Sequence, residues 1–183
     1  MALFTSKREK QLWLLAFLVF AAIYSTLFIG NPLAKFFADQ NTQVIIFLIG
    51  MLLTAIAILL FVFKFKPNRV ELSLIVGIIA VYSMLTMRLG LAERSHLIEY
   101  SVLAIAIHSA ILERRRGGKN ITWPALISLS LTIGIGIVDE CLQLFIPHRV
   151  FDSIDILFNS IAAFGTIAPY VLISWLQKKF FNS

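Results

Sequence analysis

Six apolar runs mark out the chain, at about residues 12–29, 44–63, 72–87, 97–112, 121–145 and 154–176, with short polar stretches between them. An α-helix advances about 1.5 Å per residue, so roughly 20 apolar residues carry it across the hydrocarbon layer of a bilayer. The runs lie near that length, the third being the shortest and the fifth the longest. A spanning β-strand would alternate polar and apolar residues over about ten positions, whereas these runs are apolar on every face. The pattern therefore predicts an all-α fold: a polytopic transmembrane bundle of about six helices, with residues 1–183 forming a single integral membrane domain. Short connections at 30–43, 64–69 and 117–118 predict that consecutive helices pack as antiparallel neighbours. Asn159, Ala162, Ala163, Thr166 and Pro169 give the last helix a small-residue side that another backbone can approach closely. Pro169 is expected to kink it.

Composition excludes a soluble domain, since 59% of the residues are hydrophobic, only 14% are charged and the mean hydropathy is +0.88. Charge then orients the bundle, because cytoplasmic loops retain Lys and Arg. A cytoplasmic N-terminus places Lys7, Arg8, Lys10, Lys64, Lys66, Arg69, Arg114, Arg115, Arg116, Lys119, Lys178 and Lys179 inside. Those are twelve of the sixteen basic residues, and the arrangement makes both termini cytoplasmic. The pI of about 9.7 thus reflects topology and contact with anionic lipid, and no nucleic-acid partner is expected. The first run is long and lacks a small-x-small cleavage site, so it is expected to stay as an anchor. Cys141 is the only cysteine; no internal disulfide can form, and a packed core thiol is expected.

Against this apolar background, Asp139, Glu140 and Gln143 close the fifth run, Pro147, His148 and Arg149 follow, and Asp152, Asp155 and Asn159 lead into the sixth. His96 and Glu99 stand one turn apart at the outer end of the fourth, with Tyr100 on the same side. Intervals of three and four align Asp152, Asp155 and Asn159 along one stripe and put Gln143 on a face with either neighbouring carboxylate. Three helices are thus expected to converge at one outer mouth. Each unpaired ion buried there costs several kcal/mol, on the order of a folding increment, so their repetition points to use.

Glu99 and Glu140 lie within the predicted spans and are the candidates for acid–base work, one carboxyl holding a proton while the other accepts one. His96 would tune them. Arg149 is the candidate to grip a phosphate or carboxylate in bidentate fashion, with Gln143, Asp155 and Asn159 as further binding residues. Plainer roles stay open. Asp152 could cap the sixth helix, Gln143 and Asn159 could be interhelical glue, and Arg149 could neutralise the acidic mouth. A metal centre of His96, Glu99, Asp139 and Glu140 is conceivable, but no HExxH spacing occurs and only one imidazole is well placed. No metal and no cofactor is therefore expected. His108 stands twelve residues from His96, about 18 Å along a helix, and is expected to be a packed or inner-end residue.

The segment Glu93-Arg94-Ser95-His96-Leu97-Ile98-Glu99-Tyr100, followed by Asp139-Glu140 through Gln143, Pro147, Arg149, Asp155 and Asn159, resembles the VanZ-like family. The resemblance covers residues 93–166. The chain departs from the pattern at His148, where the family often has Gly, and at Ala162 and Gly165, where it has small Gly positions. The resemblance implies a multi-pass protein of the bacterial cytoplasmic (inner) membrane. The member that names the family is associated with low-level resistance to the lipid-tailed glycopeptide teicoplanin. It also implies that His96, Glu99, Glu140, Gln143, Arg149, Asp155 and Asn159 occupy recurring polar positions. The expected function is an outer-face site that binds, and in its enzymatic form modifies, a cell-envelope lipid or lipid-linked wall precursor. Membrane lipids and such a precursor are the expected partners. A proton-coupled transporter or flippase and a noncatalytic membrane scaffold are the alternatives.

Overall fold

The computed structural model describes residues 3–39, 67–89, 91–147 and 149–180, with scattered positions between 41 and 63; at 29–38, 86, 91–93 and 176–180 only the backbone is described. Among the described residues five helices have defined bounds: α1 (Lys7–Ala38), α2 (Arg69–Arg88), α3 (Leu91–Arg116), α4 (Pro124–Gln143) and α5 (Ser153–Phe180). No strand occurs among the described residues. Among the described residues, four helices contain segments long and apolar enough to cross a membrane: Lys7–Phe28, Arg94–Arg116, Pro124–Gln143 and Ser153–Trp175. The predicted span at 44–63 falls largely outside the described residues, as do Lys64, Lys66 and His148. Contacts divide the chain into two units, Met1–Phe28 with Gly90–Ser183, and Ile29–Leu89.

Local chemistry explains several helix ends. Asn68 accepts a hydrogen bond from the Glu71 backbone N–H (2.9 Å), and the Glu71 carboxylate accepts one from Asn68 N–H (3.2 Å), a reciprocal cap that starts α2. α3 is closed off by Gly118, two residues past its end, whose φ of +88° suits glycine; there Lys119 N–H reaches back to Arg114 O and Gly118 N–H to Arg115 O. α4 begins at Pro124, where a missing N–H costs nothing. One sequence expectation is corrected: residues 30–38 are helical rather than loop, and α1 runs on through Asn31 and Pro32 to Ala38. Pro32 removes a single backbone donor, and the helix continues past it. α5 likewise continues through Pro169.

In the first unit α3, α4 and α5 pack against one another pairwise. Leu97, Tyr100, Leu103, Ala104, Ile107, Ala110 and Ile111 recur at three- and four-residue intervals as the buried face of α3. Ala162, Ala163 and Ile167 of α5 meet it, with Ala104, Ala163 and Ile167 forming one cluster beside Ala125, Leu129 and Ile133 of α4. The buried face of α4 is of another kind: Ser128, Thr132, Gly136, Asp139, Glu140 and Gln143. Its aliphatic residues Leu126, Ile127, Leu131, Ile137, Val138 and Leu142 point outward and are exposed. Polar inside and apolar outside is unfavourable in water and favourable in hydrocarbon, which is the arrangement of a membrane protein. Cys141 falls on this outward side and is exposed, not packed in the core. The burial of Asp139, Glu140 and Gln143 leaves it facing the other way.

A polar knot joins α1 to the far end of α3. Glu9 is fully buried and accepts hydrogen bonds from Thr5 N–H (2.6 Å), the Thr5 hydroxyl (2.7 Å) and Arg114 (3.3 Å). Ser6 Oγ donates to Glu113 (3.1 Å), and a side chain at Gly117 would run into Thr5. The run Arg114–Arg116 is therefore tied into the fold through Arg114 as well as presented at the surface.

A candidate polar site at the ends of α3, α4 and α5

At the other end of the same helices, the start of α3, the end of α4 and the start of α5 meet. His96 from α3 is the hub. Its Nδ1 pairs with Asn159 Oδ1 of α5 at 3.1 Å. An amide oxygen only accepts, so in this pairing Nδ1–H is the donor. Nε2 lies 3.4 Å from Asp155 Oδ2 and 4.0 Å from Glu140 Oε1.

Glu140 is fully buried on α4. Its Oε1 accepts from Gln143 Nε2 at 2.8 Å, one turn along the same helix, and its Oε2 accepts from Asp152 N–H at 3.4 Å in the α4–α5 connection. Asp152 accepts from Ile154 N–H (2.8 Å) and is thereby fixed at the N-terminus of α5, the capping role open to it from sequence. The connection itself is built from tight turns, with Phe145 N–H to Leu142 O, Ile146 N–H to Gln143 O and Arg149 N–H to Ile146 O.

Asp139 is 2% exposed, and its Oδ1 has no hydrogen-bond partner among the described residues. The Tyr100 hydroxyl, also fully buried, is the neighbour of this carboxyl, and Asn159 Nδ2 has no hydrogen-bond partner among the described residues. One donor atom from each of His96, Asp139 and Glu140 lies within 4.8 Å of the other two.

Close approach is possible because position 136 is glycine: a Cβ there would lie 3.0 Å from Asn159 Cβ and 3.2 Å from Tyr100 Cε1. Glu99 joins the site through Asp139 and Arg149, its electrostatic neighbours. Arg149 is exposed and donates to Thr26 O of α1 at 2.9 Å, pinning the α4–α5 connection to that helix while remaining within electrostatic reach of Asp139. The Tyr24 hydroxyl of α1 donates to Ile135 O at 3.2 Å.

The structure therefore brings His96, Glu140, Gln143, Asp155 and Asn159 into one cluster, with Glu99 and Arg149 at its margin. Sequence reasoning gave Asp139 no role except in the metal alternative, placed Tyr100 beside His96 and Glu99 without a role, and missed Tyr24. Gly136 could have been found, lying three and four residues before the two carboxylates on the same face. Nothing in the α1 sequence singles out Tyr24. His108, at the far end, accords with its expected packing role: it hydrogen-bonds Ser128 Oγ (2.9 Å) and meets Tyr170 edge-on. Below the polar cluster, an apolar groove of about 370 Å³ runs between α4 and α5, lined by Leu129, Ile133, Ser160, Ile161, Phe164 and Gly165. Compared with known protein families, curated proteins and solved structures, the chain matches none.

Proposed function

We propose that this is a multi-pass protein of a bacterial cytoplasmic membrane whose outer-face polar site binds the headgroup of an envelope lipid or lipid-linked wall precursor. The observation that carries the reading is the convergence of His96, Asp139, Glu140, Gln143, Asp155 and Asn159 from three helices, with buried polar atoms left unpartnered. Carboxylate oxygens dominate the cluster, so it suits hydroxyl and amide donors such as those of a glycan or peptide headgroup. Arg149 has further N–H groups beside the one on Thr26 O and would meet the lipid phosphate. The apolar groove one turn further along α5 would take an acyl chain.

Orientation rests on the clustering of Arg114, Arg115, Arg116, Lys7 and Arg8 at the end opposite the site, which the positive-inside tendency assigns to the cytoplasm. The resemblance to the VanZ-like family supports the same placement and links the site to glycopeptide resistance, teicoplanin in particular. Glu140→Gln and Arg149→Ala are the test. Each is expected to abolish the resistance or envelope phenotype at unchanged abundance, and full activity of both would overturn the reading.

A second reading has its own observation. Ser128 and Thr132 continue the buried face of α4 away from Asp139 and Glu140 toward His108. Such a stripe is what a proton-coupled carrier of an envelope lipid requires. Lipid flipping that stops when the proton gradient is collapsed would favour the carrier; binding and turnover indifferent to the gradient would favour the first reading.

A further inference from the structure

We propose that His96, Asp139 and Glu140 hold a divalent transition-metal cation of the zinc type, with Asn159 orienting the imidazole. Three donor atoms within 4.8 Å of one another have a common point no more than roughly 2.8 Å from each, against about 2.0–2.2 Å for zinc–nitrogen and zinc–oxygen bonds. Side-chain rotations of well under 1 Å, on the order of the difference, close that gap.

The arrangement suits a cation at this point. With Nδ1 engaged by Asn159 Oδ1, the other ring nitrogen, Nε2, faces the oxygens of Asp155 at 3.4 Å and Glu140 at 4.0 Å. Asp139, whose buried Oδ1 has no hydrogen-bond partner among the described residues, is the third donor of the group.

Surrounding contacts have the form of an outer shell. Asn159 fixes the tautomer of the ligating histidine, while Gln143 Nε2 and Asp152 N–H each hold one oxygen of Glu140. One imidazole with two carboxylates suits zinc or manganese better than calcium or magnesium, which take oxygen ligands throughout. Three protein ligands leave a coordination position open for water or an incoming ligand. The inference does not depend on what lipid, if any, the site receives.

The full-length protein in lipid nanodiscs, stripped with chelator, would be titrated with Zn²⁺ and separately with Mn²⁺ and Mg²⁺, following metal content and thermal unfolding. One Zn²⁺ per chain is expected, raising the unfolding temperature. His96→Asn and Asp139→Asn should each lose this uptake, Asn159→Leu should weaken it roughly 10–100-fold, and Asn159→Asp, which keeps the acceptor, should stay close to the parent protein. Co²⁺ added to the unmutated protein should give the visible absorption of a nitrogen–oxygen site, a readout that does not depend on any variant folding. Absence of uptake and of that spectrum, or uptake that survives both His96→Asn and Asp139→Asn in folded protein, would overturn the proposal. A protonated His96 held between carboxylates would then account for the cluster.

Discussion

At the scale of single residues, Asp139 carries the clearest tension. Its carboxyl is buried with one oxygen unpartnered, and a buried ion lacking full compensation costs folding energy. In metal-stripped protein, Asp139→Asn is expected to raise stability by about 1–3 kcal/mol while removing function, as at other sites where stability is sacrificed to activity. Reversible unfolding in detergent or nanodiscs would measure it, and a loss of stability would show that the carboxylate already has what it needs. The contrast with Glu140 is instructive. Both acids were visible in the sequence as neighbours in an apolar run, yet only packing shows that Gln143 and Asp152 N–H bind one of them and leave the other under-satisfied.

At the scale of elements, α4 determines how near the three helices can come. Its buried face has glycine at 136, where Asn159 and Tyr100 press in, so Gly136→Val should destabilise the bundle by about 1–3 kcal/mol and displace Asn159 from His96. A drop in unfolding temperature accompanied by lost cation binding would report both effects; an unaffected site would mean that the helices can shift apart without disturbing it. Gly118→Ala, by contrast, should cost about 1 kcal/mol through its left-handed backbone alone and leave the site intact. Helix existence was legible from apolar run lengths, and the polar stripe of α5 from its three- and four-residue intervals. The extent of α1 was not legible, because Gly30, Asn31 and Pro32 read locally as a loop, yet the helix runs on through them to Ala38.

At the scale of the molecule, the first unit has two polar ends with different chemistry. The basic end is fastened by buried Glu9, bound to Thr5 and to Arg114, which is itself partly exposed. Glu9→Ala should lower stability by about 1–3 kcal/mol, mostly through the stranded Thr5 donors, and leave cation binding at the opposite end unchanged. Lost binding in a still-folded Glu9→Ala protein would show the two ends to be coupled. The proposed orientation has its own check in a Cys141→Ser background. Val150→Cys, in the connection beside the site, should react with an impermeant thiol reagent from outside intact cells, and Lys119→Cys should react only after permeabilisation; the reverse pattern would invert the topology.

Length and apolarity of the runs, the sidedness of Lys and Arg, and the spacing of late polar residues were enough to indicate helices, a membrane class and the members of a candidate cluster. Those properties act along one helix or across one bilayer, so they can be read from order alone. Which carboxylate faces which nitrogen depends on how α3, α4 and α5 approach around Gly136, and the attachment of α1 through Tyr24 and Thr26 likewise depends on contacts between residues more than a hundred positions apart. Distances of 3–4 Å between donors on separate helices arise from packing, and only the folded chain decides them.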